Sequence, residues 1–294
     1  MKERTLLKKN LETNIHKLGF LSIGDRLHIG NYKLHSRFKR VVNFVKDSYL
    51  ASAVKEEVGR GPVNIVIRGF PINCVKTLSV GDGFIIVNES RFEINKNLVY
   101  SSKIDFSLEF SMDRYKKNLN ILRDLLIFHS PERSLSFLLD KRREGYFKSE
   151  FERTFVRRIK KGADELFSGR IESGINLLKG VGYGLTPSGD DFISGVLSGL
   201  YILENLFNYN LTTVRAKIYK LSKTHNLISS SFLYFSSRGE FFERVKNLII
   251  SIIYKSPRDV EEHFFKLMGV GDTSGSDIGT GLFMTLMKGG EVWL

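Results

Sequence analysis

The sequence predicts an α+β chain: a small N-terminal β-barrel or sandwich over residues 1–110, packed on a C-terminal multi-helix domain over 111–294. Three observations carry this. Between Gly19 and about Phe110, apolar and polar residues alternate in short runs, the period of a half-buried strand. Glycine pairs with Asp or Asn punctuate those runs as turns. After Ser111 the apolar period changes to 3.6 residues, the spacing of an amphipathic helix.

Residues 1–18 read as a short, partly helical lead-in of mixed charge. Leu27/Ile29, Val63/Ile65/Ile67 and Phe92/Ile94 then alternate with polar residues, and Gly24-Asp25, Gly30-Asn31 and Gly81-Asp82-Gly83 mark turns. Ser48 to Val58 lacks alternation and runs into Gly59-Arg60-Gly61-Pro62, so a helix is expected there. In the second half, Leu119, Leu122, Leu125 and Leu126, then Leu135, Leu138 and Leu139, keep the helical period. Helices are expected over 112–129, 132–140, 147–166, 170–179, 188–207, 211–223, 226–237, 240–254, 257–268 and 274–287.

Composition narrows the function classes. Hydrophobic residues make up 42% and charged residues 26% of the 294, the balance of an ordinary globular protein and not of a disordered or fibrous one. A net charge of +13 draws anions of any kind, from phosphorylated metabolites to RNA. With Cys74 alone, neither an intrachain disulfide nor a cysteine zinc cluster can form. The basic start has no apolar core of a signal peptide, and no apolar run approaches the ~20 residues of a membrane span, so a cytoplasmic protein off the membrane is expected. Residues 141–161 carry nine basic and three acidic residues. Tyr146, Phe147, Phe151 and Phe155 there recur at helical spacing and are expected to face a core. With no recognised RNA-binding signature present, nucleic acid is not the expected partner.

The chemistry concentrates in one stretch, Gly180-Val-Gly-Tyr-Gly-Leu-Thr-Pro-Ser-Gly-Asp-Asp-Phe-Ile-Ser-Gly195. Its alternate glycines let backbone approach a ligand, and the Thr-Pro-Ser that follows starts a helix whose N–H groups face an anion. Two adjacent carboxylates follow, oxygen donors of the kind a hard cation takes. A second stretch, Gly269-Val-Gly-Asp-Thr-Ser-Gly-Ser-Asp-Ile-Gly-Thr-Gly281, repeats the plan: Ser188-Gly-x-Asp191-x-x-x-Gly195 and Ser274-Gly-x-Asp277-x-x-x-Gly281 share one spacing. Two readings are open. Ser-x-x-Asp is the pattern of a capping box, and an early aspartate favours the helix dipole by ~0.3–1 kcal/mol. The alternative is a binding loop, which gives a reason to keep so many glycines.

On the functional reading, the carboxylates would repel an anion unless a divalent cation bridges them, for which Mg²⁺ on Asp190 and Asp191 is the natural candidate, or unless Arg238 neutralises the site. His225 in Thr224-His-Asn-Leu-Ile-Ser-Ser-Ser231 is an available acid/base group or a structural histidine. No Walker A sequence, Gly-x-Ser-x-Gly elbow, His-Glu-x-x-His or dinucleotide fingerprint occurs.

GVGYGLTPSGDDFISG, THNLISSSFLYFSSRG and GVGDTSGSDIGTG, in that order after a β-rich half, resemble the uncharacterised-domain family that includes AllH, a subunit of oxamate carbamoyltransferase. The resemblance implies a place beside other protein subunits in a purine and allantoin catabolism enzyme that converts oxalurate and phosphate to oxamate and carbamoyl phosphate. It marks Gly184, Thr186, Ser188, Gly189, Asp190 and Asp191 as signature positions, with Thr273, Ser274, Gly275 and Asp277 as a second set. Asp272 and Ser276 depart from the family's second motif, where a histidine and a bulky aromatic are expected. The Ser-Thr-Arg-Thr-Arg and His-Pro-x-Gln motifs of ordinary carbamoyltransferases are missing, so carbamoyl transfer would use another fold. The expected roles follow: Asp190, Asp191 and Ser188 in catalysis, the first two also holding Mg²⁺. Gly182, Gly184, Thr186, Gly189, Thr273, Ser274, Gly275, Asp277 and Arg238 would hold a small carboxylate or phosphate substrate. A non-catalytic ligand-binding or structural subunit is the alternative, and an RNA-binding protein using the 141–161 face a third.

Overall fold

The computed structural model describes residues 18–182 and 184–293. The expected lead-in therefore lies, apart from Leu18, outside the described residues. The chain divides into two compact units, one comprising the chain up to Ser102 with Phe241–Glu243, the other Lys103–Glu240 and the chain from Arg244 on. Together they make an α+β protein.

The first unit is a nine-stranded sheet that curls into a half-barrel: β1 (Gly19–Gly24), β2 (Gly30–Arg37), β3 (Val41–Lys46), β4 (Tyr49–Lys55), β5 (Asn64–Arg68), β6 (Leu78–Gly81), β7 (Phe84–Val87), β8 (Ser90–Glu93) and β9 (Val99–Tyr100), in the order β8-β7-β6-β2-β3-β4-β5-β1-β9. Most neighbours are antiparallel; β4 with β5 and β1 with β9 run parallel. Val42, Phe44, Ala51, Ala53, Ile65, Ile67, Leu78, Ile85 and Val87 alternate along their strands onto one apolar core.

The helix expected over 48–58 is instead β4 and a short 3₁₀ turn, Glu56–Val58. Every residue from Leu50 to Val54 is buried, so both faces of β4 are covered. A strand buried on both faces has no polar side to alternate with, and its two alanines read as helix formers. The β7–β8 turn places Asn88 and Glu89 at φ 49° and 72°, the left-handed pair that a two-residue hairpin requires. Phe241–Glu243 returns to this unit: Phe241 N donates to Ser102 O at 2.9 Å, Tyr100 Oη to Phe241 O at 3.0 Å and Arg60 N to Glu243 Oε2 at 2.8 Å. That return is why the helix expected from 240 begins only at Glu243.

The second unit is helical: α1 (Met112–His129), α2 (Glu150–Phe167), α3 (Ile171–Leu178), α4 (Ser188–Phe207), α5 (Thr212–Ser222), α6 (Leu227–Ser237), α7 (Glu243–Tyr254), α8 (Pro257–Met268) and α9 (Ser274–Lys288). Capping boxes at Ser149/Glu152 and Ser256/Asp259 start α2 and α8. Residues 132–140 make only a 3₁₀ turn, Leu135–Leu138, because the Leu135 amide is taken by the Asp277 carboxylate at 2.7 Å. In the basic stretch, Phe147 is buried and stacks on Phe155, with ring centroids 5.9 Å apart. Tyr146 and Phe151, expected in the core, are instead 39% and 66% exposed.

The axis of the unit is the α4–α9 pair, apolar or small almost all round and buried along most of its length. A Cβ on Gly195 would lie 2.1 Å from Ile278 O, and one on Gly281 would lie 2.1 Å from Phe192 O. The approach is reciprocal, backbone on backbone, which only glycine permits.

Candidate functional site

The two motifs are two copies of one local design. In the first, α3 ends at Leu178, Val181 N donates back to Leu178 O at 3.2 Å, and Gly189 N donates to Val181 O at 2.8 Å. In the second, α8 ends, Val270 N donates to Leu267 O at 2.9 Å, and Gly275 N donates to Val270 O at 3.1 Å. Gly189 and Gly275 press on those same carbonyls: an added Cβ would lie 1.9 Å from Leu178 O in one copy and 2.0 Å from Leu267 O in the other. Gly182 and Gly271, at φ 124° and 58°, turn the chain into each helix.

Neither helix start is a capping box. The N-cap positions are Pro187 and Thr273, no side chain caps either helix, and Ser188 and Ser274 are the first helical residues. Ser274 bonds Asp191 of the opposite helix, and Ser188 bonds Asp277. Each aspartate also accepts from a threonine of its own loop, Thr186 Oγ1 to Asp191 Oδ2 at 3.1 Å and Thr273 Oγ1 to Asp277 Oδ2 at 2.9 Å. Thr186 and Ser274 hydroxyls lie 3.3 Å apart, joining the loops directly. The structure thus brings Thr186, Ser188, Asp191, Thr273, Ser274 and Asp277 into one cluster at the meeting helix N-termini.

Burial sets the electrostatics. Asp277 is fully buried and its carboxyl is pushed up to about 7, chiefly by desolvation, against the hydrogen bonds from Leu135, Ser188 and Thr273. Asp191, 5% exposed, is raised well above the ordinary carboxylate range by burial first, with the Asp277 and Asp190 charges adding to it. Burial and mutual repulsion both favour the protonated form, and a proton held here belongs to the pair rather than to either residue.

Asp190 faces elsewhere. Its Oδ1 accepts from Gly180 N at 2.7 Å and its Oδ2 from Ser229 Oγ of α6, so it ties the glycine loop to a third helix. Burial raises its carboxyl too, opposed by those two donors. Consecutive residues of a helix point ~100° apart, and Asp190 and Asp191 diverge accordingly. Both Asp190 oxygens thus accept internal hydrogen bonds, on the side away from Asp191. Among the described residues no group of three or more His, Cys, Asp or Glu is arranged to hold a metal.

Asn226 and Ser229 are the residues that sequence reasoning missed within a segment it had marked. Asn226 caps α6 through Ile228 N and Ser229 N, both at 3.1 Å, and its Nδ2 donates to Leu185 O of the glycine loop at 2.7 Å. His225 beside it is exposed. In the second copy, Ser276 occupies the position of Asp190 and is buried among Ser130, at 2.7 Å, and Ser136, at 2.9 Å. Asp272 is exposed. Arg238 sits at the C-cap of α6, half-exposed, 3.5 Å from Glu240 and over the Tyr234 ring. No bond from either motif to Arg238 appears among the described residues.

No helix among the described residues is long and apolar enough to cross a membrane. No curated protein and no solved structure matches the chain. A family model does match residues 178–286, from the carbonyl on which Gly189 rests to the last turns of α9, so that both motifs and the helices between them fall within it. The family so matched is described as oxamate carbamoyltransferase subunit AllH, the one the two motifs resemble.

Proposed function

We propose that the chain is a subunit of an oxamate carbamoyltransferase-type complex, converting oxalurate and phosphate to oxamate and carbamoyl phosphate, and that it binds an anionic small molecule at the paired helix starts of α4 and α9. The observation that carries the reading is the coincidence of the matched family segment with the two-copy cluster. Two helix N-termini converge there, each contributing partial positive charge at its first turn. Gly182 and the 184–187 segment lie beside these helix starts, with Thr186, Ser274 and Thr273 only part-buried. The Gly189 amide is engaged by Val181 O and is not among the donors for the anion.

Protons, and not a metal on Asp190 and Asp191, balance the charge in this reading. A protonated member of the Asp191–Asp277 pair donates a hydrogen bond where two carboxylates would repel a carboxylate or phosphate. The same proton is available to a leaving nitrogen, which makes Asp191 the candidate general acid and Ser188 and Thr186 the groups that orient it.

The test is Asp191→Asn in the complex reconstituted with its partner subunits. An unchanged rate of oxalurate phosphorolysis removes Asp191 from catalysis; the expected result is a loss of at least about 100-fold, the usual scale for an acid/base group. One observation favours a second reading. The cluster's carboxylates are already satisfied by internal donors, as in a structural latch, which suits a subunit whose partners hold the chemistry. Single-turnover assays with and without partner subunits separate the two readings, and turnover by the isolated chain would sink the second.

A further inference from the structure

The basic stretch of residues 141–161 is not absorbed by the cluster, and the structure gives it a shape. Lys141–Tyr146 forms a 3₁₀ segment that faces α2, and two grooves of about 440 and 390 Å³ lie along them. The first is lined by Lys148, Arg153 and Arg157 over an apolar floor that includes Phe147 and Val156. The second is lined by Arg157, Lys160 and Lys161 with Asp164 and Glu165. Arg157, Val156 and Glu144 border both, so the two grooves adjoin as a trough with Arg157 between them.

The walls are fixed. The Arg143 guanidinium is buried and donates to the carbonyls of Ile127, Ser130 and Pro131 at 2.7, 2.8 and 2.6 Å, anchoring the 3₁₀ wall. Lys160 bonds Glu144 across the trough at 2.7 Å, which also cancels the one acid of the first groove. Ser149 and Glu152 cap the start of α2. Arg157 is held in place by Glu150 at 2.6 Å and Thr154 at 2.8 Å. The Glu150 pair is solvent-exposed, so it contributes little and a stronger acceptor can share or displace it.

From this arrangement we propose that the trough is a binding site for a small molecule carrying two adjacent phosphates, a pyrophosphate or a nucleoside di- or triphosphate. Arginines a helical turn apart, Arg153 and Arg157, present guanidinium forks to neighbouring phosphoryl oxygens, and Lys148 and Lys161 close the two ends. These open grooves present guanidinium and ammonium donors side by side, the arrangement that adjacent phosphoryl groups need. The Phe147–Val156 floor gives a planar base an apolar surface. None of these residues belongs to the two glycine motifs, so the site is separate from the aspartate pair.

Calorimetry on the full chain at low salt, with inorganic pyrophosphate, ATP and adenosine as probes, tests this. Binding of pyrophosphate and ATP is expected, weakening as salt is raised. The Arg153→Gln/Arg157→Gln double variant should lose at least about tenfold in affinity, in line with two charge-assisted contacts, without a change in unfolding midpoint. The double variant leaves the α4–α9 cluster untouched, which keeps this site's failure distinct from that of the carbamoyltransferase reading. Equal affinity for pyrophosphate and ATP assigns the site to the phosphates alone, and tighter ATP adds the apolar floor; both support it. No heat with either phosphate, adenosine binding as tightly as ATP, or a double variant that binds like the parent would overturn it.

Discussion

Replacing Asp277 by Asn probes the buried pair directly. The Asp277 carboxyl titrates near 7 in the folded chain, against an ordinary value of 3.8. Between those values the folded state keeps a proton that the unfolded chain has released. Stability contributed by this group is therefore fully present below about pH 4 and is lost as pH rises to about 7. From pH 5 to 7 the span is about two units, or about 2–3 kcal/mol at 1.36 kcal/mol per unit. Asn is nearly isosteric: its oxygen can accept from Leu135 N, and its amide can donate to the Thr273 and Ser188 hydroxyls, which rotate to accept. Urea unfolding of both proteins at pH 5, 6, 7 and 8 measures the difference between their stabilities, in which other titrating groups largely cancel. That difference should shift in favour of the variant by about 2–3 kcal/mol between pH 5 and 8. Asp191, raised by the same burial, leaves the variant some residual slope of the same sign. A difference constant to within about 0.5 kcal/mol across the range would refute a protonated, desolvated Asp277.

Two further expectations concern the frame and the loop. Gly195→Ala and Gly281→Ala each put a methyl 2.1 Å from a backbone oxygen, well inside any real contact, and Ala's helix propensity returns only ~1 kcal/mol. Each should cost about 1–3 kcal/mol net in chemical denaturation, while Gly145→Ala, with open space around it, should be neutral; equal stability of all three would mean that α4 and α9 do not touch through their backbones. Asn226→Asp keeps the acceptor that caps α6 but removes the donor to Leu185 O, so hydrogen exchange in residues 184–187 should quicken while global stability moves by less than about 1 kcal/mol. Unaltered exchange would show that Asn226 does not hold the loop.

Much of this was legible because local rules governed it. The expected bounds of the helices at 112–129, 188–207 and 257–268 are those observed, since Ser111, Pro187 and Ser256 each give a strong start and the apolar period continues without a break. The repeated Ser-Gly-x-Asp-x-x-x-Gly spacing also pointed to two helix starts that meet. What it could not supply was the identity of the partners. Leu135 N, 142 residues away, and Ser229, 39 residues away, are set by tertiary packing and leave no trace in local pattern. The same limit explains β4, where burial on both faces erased the alternation that marks a strand. It explains the serines too: Ser-x-x-Asp predicts a local cap, but Pro187 and Thr273 hold the N-cap positions, which frees each serine to reach across.

The two copies differ where a ligand would notice. From the carbonyl that supports the helix glycine to the first helical serine, the first copy runs from Leu178 to Ser188 and the second only from Leu267 to Ser274, three residues fewer. Gly184 and Leu185, which precede the threonine shared by both copies, belong to the longer stretch, and Leu185 is half-exposed and tethered by Asn226. Asp190 in the first copy carries an ionisable group tied to that loop, whereas Ser276 in the second is sealed among neutral hydroxyls. A duplicated frame fixes two acids face to face through Gly195 and Gly281, and it does so equally for both halves. What breaks the symmetry is local to the first copy: Asp190 and Asn226 tie its loop at Gly180 and Leu185, while the second copy answers with Ser276 among neutral hydroxyls.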